Sequence, residues 1–98
     1  MRNKEMAFSF EIKEVLGALS KPSPQGWTKE LTLVSWNNRE PKFDIRLWDE
    51  EHENMKKGVT LTLEEMYALK DLLNRLPLEN YHVEEKEPTI VNGERHYF

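Results

Sequence analysis

The 98-residue chain holds 14 Lys and Arg against 18 Asp and Glu, is 38% hydrophobic and contains no cysteine. This describes one small domain with no room for a second independent core, and it excludes disulfides, thiolate catalysis and thiolate zinc sites. No apolar run is long enough to cross a bilayer and the charged start, MRNKEM, is not a secretory apolar region, so the expected compartment is the cytoplasm.

In FSFEIKEVLGALS, Phe8, Phe10 and Ile12 alternate with Ser9, Glu11 and Lys13 before the phase shifts near Val15, as in a bulged strand. KPSPQG (Lys21 to Gly26) has the Pro, Ser and Gly content of a loop. WTKELTLVSW follows as a second strand, with Leu31 and Leu33 on one face and Thr28, Glu30 and Thr32 on the other. The turn NNREP leads into KFDIRLW, where Phe43, Ile45 and Leu47 share one face and Lys42, Asp44, Arg46 and Trp48 the opposite one. Beyond the acidic segment DEEHE, MKKGVTLT reads as a short fourth strand, with Val59 and Leu61 on the apolar side and Lys56, Gly58 and Thr60 on the other.

At Thr62 the period changes to about 3.6. Leu63, Met66, Leu69, Leu73 and Leu76 recur at helical spacing, with Leu72 widening the stripe. TLEE is a capping box, with Thr62 as N-cap and Glu65 at N3, and Pro77 forbids continuation. Four strands and one amphipathic helix give an α+β unit. In it the helix is expected to cover the apolar face formed by Phe8, Phe10, Leu31, Leu33, Phe43, Ile45, Leu47, Val59 and Leu61. A chain this short encloses its core only partly, and oligomerisation is a natural way to bury more.

The net charge of −4 is unevenly spread. Residues 77–98 hold Glu79, Glu84, Glu85, Glu87 and Glu94 against Lys86 and Arg95, and DEEHE adds four more acids, so the remainder is locally basic. The sheet face left uncovered carries Lys42, Arg46, Trp48, Lys56 and Trp36, with Lys29, Arg39 and Lys57 at its margins. Cations interleaved with aromatics suit single-stranded nucleic acid: an indole stacks on any base for roughly 1 to 3 kcal/mol while Lys and Arg follow the phosphates. Two other accounts use the same residues. Trp27, Trp36 and Trp48 could be core or dimer-interface aromatics beside solvated cations, or the face could dock a partner protein, as an adaptor of the transcription machinery would.

GWTKELTLVSWNNREPKFDIRLW, followed after the acidic loop by KKGVTLTLEEMYALKDLL, resembles the YdbC-type bacterial branch of the transcriptional positive cofactor four (PC4-like) family over roughly Phe8 to Leu76. The resemblance rests on DIR-x-W, the basic-basic-Gly-hydrophobic-Thr-Leu strand and the capped helix in that order. It implies a four-stranded antiparallel curved sheet followed by one helix, a homodimer, and single-stranded DNA binding without sequence preference in transcription, replication or repair. A place at the nucleoid would be compatible with such a role. Carried over by position, Arg46, Trp48, Lys56 and Lys57 match best, Trp36 stands near a stacking aromatic of the second-strand turn, and Lys29 stands where this branch keeps a basic residue; Lys42 of the uncovered face and Arg39 at its margin, in a turn that varies within the family, complete the expected DNA-binding set. RNA remains open as a ligand, because contacts to a 2′-hydroxyl are not encoded by any motif here.

No enzyme, cofactor or metal site is expected. His52, His82 and His96 form no close helical pair. DEEHEN fails as a calcium loop, since its sixth position is Asn54 and its twelfth Thr60. There is neither a G-x-S-x-G elbow nor a G-x-x-x-x-G-K phosphate loop. Residues 1–76 are expected to form the nucleic-acid-binding domain and 77–98 an acidic extension, in which NYHVEEKEP reads as a linker and Asn92-Gly93 signals a hairpin. Such a tail could compete with DNA for the basic face.

Overall fold

In the computed structural model, which describes residues 8–81, 89–91 and 94–96, four strands form one antiparallel sheet in the order β1-β2-β3-β4. They are β1 (Phe10–Ala18), β2 (Thr28–Trp36), β3 (Lys42–Trp48) and β4 (Val59–Leu61), followed by α1 (Leu63–Arg75). After a short 3-10 turn at Leu78–Asn80, β5 (Thr89–Val91) and β6 (Glu94–His96) pair separately, with Val91 opposite Glu94. Asn92-Gly93 and the linker at 82–88 lie outside the described residues.

Local chemistry accounts for the connections. The Lys21 to Gly26 loop closes on Ser23, whose Oγ accepts from Trp27 N–H and whose carbonyl accepts from Gly26 N–H, with Gly26 at φ 88°. Asn37 and Asn38 both take positive φ (52° and 63°), and Arg39 N–H closes the turn on the Trp36 carbonyl. Asn tolerates this conformation better than other non-glycine residues, and the turn matches the twist of a hairpin. The Thr62–Glu65 capping box forms in both directions, and α1 ends at Leu76, just before Pro77.

β1 carries two register shifts, between Ile12 and Glu14 and between Val15 and Gly17. They accompany a sheet that is strongly curled. Phe10 stands opposite Trp36 at one end of β2, and Trp48 stands opposite Thr28 at the other end. Those ends would be about 26 Å apart in an extended strand, yet the Phe10 and Trp48 rings lie 5.4 Å apart. Only a sheet folded over this face brings them together, and bulges supply extra twist and bend.

Curvature corrects the expected core. Phe8 and Phe10 do not face the helix: Phe10 pairs with Trp36, and both phenylalanine rings lie against that indole at 5.7 and 6.0 Å. The deepest side chains, Trp48, Val34, Thr32 and Asp44, all belong to the concave face that carries no helix. On the convex face Leu31, Leu33, Phe43, Ile45, Leu47 and Leu61 are half-buried and Val59 is exposed. α1 touches β3 and β4, and its half-buried positions are Met66 and Leu69, while Leu63, Leu72, Leu73 and Leu76 remain exposed. A concave surface needs few side chains to fill it, whereas one helix of 13 residues cannot cover the wider convex side.

Gly58, just before β4, lies directly against β3. A Cβ there would collide with the Arg46 Cβ and the Ile45 carbonyl oxygen, and the latter is backbone that cannot turn aside. Gly58→Ala is therefore expected to lower the urea midpoint by an amount equivalent to about 1–3 kcal/mol, the range for forced overpacking. Gly17→Ala is the control, because a Cβ at Gly17 meets nothing. Equal midpoints for the two variants would contradict the close approach.

Candidate nucleic-acid interface

Four of the eight residues expected at the interface converge. Trp36, Arg39, Lys42 and Arg46 line a groove of about 360 Å³ together with Phe8, Glu40 and Thr60. β2 delivers Trp36 and β3 delivers Lys42 and Arg46, while the Asn37-Asn38 turn places Arg39 between them. Phe8 is held over the groove by the same turn, since Ser9 N–H donates to Asn37 Oδ1 and Asn37 N–H donates to the Ser9 carbonyl. Arg39 and Lys42 are exposed, so their charges are open to solvent and ligand.

Arg46 is not an open charge. Its Nε and Nη2 reach the two carboxylate oxygens of Asp44 at 2.6 and 2.8 Å, and its Nη1 donates to the Lys56 carbonyl at 3.3 Å. Asp44 is completely buried and the Arg46 side chain is 14% exposed. The guanidinium also lies 4.7 Å from the centre of the Trp36 ring. A forked pair of this kind fixes the direction of Arg46 and spends much of its field on Asp44.

Trp48 differs from its expected place. Its face is the one that alternation assigns, but it is 0% exposed, so its ring cannot meet a base from solvent in this conformation. It supports the aromatic layer from beneath, touching Phe10 at 5.4 Å and His52 at 5.8 Å. His52, at φ 60°, holds Nε2 2.7 Å from Glu30 Oε1 and thereby pins the acidic loop to β2. Within that loop Asp49 accepts from the Asn54 side chain and from the Glu53 and Asn54 N–H groups, which together hold its carboxyl below the ordinary aspartate range.

The other three cations do not join the groove. Lys29 shares the helix side of β2 with Leu31, opposite Leu47, so strand parity removes it from the concave face. Lys56 and Lys57 are exposed on the connector before β4, and Lys56 Nζ sits 4.7 Å from the centre of the Trp27 ring. Trp27 thus pairs with a cation beside the Arg46 contact, a geometry suited to a second aromatic-cationic step. Among the described residues no three His, Asp or Glu side chains converge as a metal site, and no helix is long and apolar enough to cross a membrane.

The family model for Transcriptional Coactivator p15 (PC4) matches residues 23–72. The chain belongs to this family. An uncharacterized protein of Treponema pallidum (strain Nichols) is 45% identical over 86 residues, which cover 83% of this chain and 100% of that relative. The four-stranded antiparallel curved sheet followed by one helix is the PC4 fold. The PC4 match begins in the loop before β2, so β1 and the Phe8 segment lie outside it although Phe8 lines the groove.

Three residues of the site escape a reading by pattern. Phe8 looks like one more apolar position in an alternating run, Trp27 sits at a loop end without a period, and Asp44 reads as a solvated acid. The last had a signal, since opposite charges two residues apart in a strand share a face and can pair.

Proposed function

We propose that this PC4-family protein binds single-stranded nucleic acid, DNA in the first instance, with little sequence preference, as a non-enzymatic factor acting in transcription, replication or repair. The observation that supports it best is the groove itself, in which the Phe8–Trp36 aromatic pair, with Phe8 exposed, lies beside the open charges of Arg39 and Lys42. Duplex DNA hides its base faces, so the surface favours single strands. Residues 1–76 carry this activity and 77–98 form the acidic extension, in a protein that works in the cytoplasm or at the nucleoid. Within the family the DIR-x-W and KKG strands align it with the YdbC-type branch. A homodimer fits the exposed Leu63, Tyr67, Leu72 and Leu73 of α1, and a sedimentation-equilibrium mass of one chain would reject it.

The test is a titration of the protein into a labelled single-stranded oligonucleotide of about 20 bases at several salt concentrations, with unlabelled duplex and RNA as competitors. Saturable binding that resists duplex is expected, with the logarithm of affinity falling against that of salt by roughly 0.7 for each phosphate contacted. RNA competition decides between the two nucleic acids. No binding at low salt would overturn this function and leave the concave face to the rival role, docking of a protein of the transcription machinery.

A further inference from the structure

Granting that the groove receives a single strand, we infer that Phe8 is the residue on which its first base stacks, and that Trp48 acts only as the buttress beneath. Four aromatic rings form a connected series. Phe8 lies against Trp36 at 5.7 Å and Phe10 at 6.1 Å, and Phe10 continues to Trp48 at 5.4 Å. Exposure falls along the series from 61% at Phe8, through half-buried Phe10, to none at Trp48. A base can extend such a stack only at its open end.

Trp36 is less available than its position suggests. The Arg46 guanidinium stands over its ring, both phenylalanines lie beside it, and its Nε1 is buried without a hydrogen-bond partner. A base reaching that indole would first have to displace Arg46 from Asp44 or push Phe8 aside. Stacking on Phe8 displaces neither. Phe8 is nevertheless not a loose side chain, because the paired Ser9–Asn37 hydrogen bonds fix the backbone beside it. A pre-placed ring loses little freedom on binding. Arg39 and Lys42 line the same groove as Phe8, so a nucleotide stacked there would have phosphate partners at hand.

The experiment compares the wild type with Phe8→Ala, Phe8→Leu and Phe8→Trp on two labelled strands, a 20-base oligothymidylate and an abasic deoxyribose-phosphate strand of the same length. Phe8→Ala and Phe8→Leu are expected to lose about 5- to 150-fold in affinity for the base-bearing strand, the range of one base–aromatic stack. Their salt slope and their affinity for the abasic strand should stay unchanged. Phe8→Trp should bind like the wild type. Phe8→Leu keeps apolar bulk on Trp36 without a π face, so its failure together with Phe8→Ala separates stacking from mere packing; circular dichroism confirms that each variant is folded. Wild-type affinity in Phe8→Ala or Phe8→Leu, or equal losses on both strands, would overturn the assignment to Phe8 while leaving the nucleic-acid function standing. A wild type that binds neither strand would overturn both.

Discussion

Trp48→Ala is expected to cost the fold about 3–5 kcal/mol, the range for truncating a fully buried aromatic. The indole has no exposed surface, touches Phe10 and His52, and belongs to a core in which, among the described residues, only Val34 is equally apolar and enclosed. Few other residues can move into the space, because the curled sheet holds both ends of β2 over it. A domain of this size has a total stability on the order of 5–15 kcal/mol, so the variant should be largely unfolded at temperatures the wild type tolerates. Urea denaturation followed by circular dichroism measures this. Trp48→Phe should lose much less stability and bind single strands as the wild type does. A Trp48→Ala protein with an unchanged urea midpoint and weakened DNA binding would mean that the indole is surface-exposed in solution and meets bases directly.

That expectation departs from the one alternation alone supports, and the departure has a physical origin. A period of two says which residues share a face. It correctly groups Lys42, Asp44, Arg46 and Trp48, and it places Lys29 on the other side, although the family pattern argued for including it. It does not say which face ends up inside. That depends on how far the sheet curls, and curling follows from the two bulges of β1, the pairing of Phe10 with Trp36 and the approach of Gly58 to β3. These are relations between distant segments. The helix was legible to the residue because its start and stop are local: Thr62 and Glu65 bond to each other's backbone, and Pro77 needs no partner to end it. The site lies between the two cases. The cations and Trp36 were visible as a pattern, while Phe8 becomes a groove residue only through the bulged first strand and the Asn37 turn.

Arg46→Ala is the substitution in which stability and binding part most clearly. Removing the guanidinium leaves the Asp44 carboxylate wholly buried without either of its two charged donors, and breaking a buried pair from one side costs about 3–5 kcal/mol. Arg46→Lys should recover only part of the loss, because an ammonium cannot make two parallel bonds to one carboxylate or lie flat over Trp36. A double-mutant cycle identifies the cause. Asp44→Asn combined with Arg46→Ala should be more stable than Arg46→Ala alone, since the uncompensated charge is gone. If the double variant were the less stable of the two, the pair would not be the source of the loss. At the interface the same geometry predicts a small electrostatic role: a free cation on a phosphate adds roughly 0.7 to the salt slope, but the Arg46 charge already faces Asp44. The folded double variant should therefore keep nearly the wild-type slope, whereas Lys42→Ala should reduce it, because Lys42 is exposed at the groove and has no carboxylate within bonding distance among the described residues. A loss of roughly 0.7 from the slope at Arg46, one single-strand phosphate contact, would show that DNA draws the guanidinium away from Asp44 and onto a phosphate.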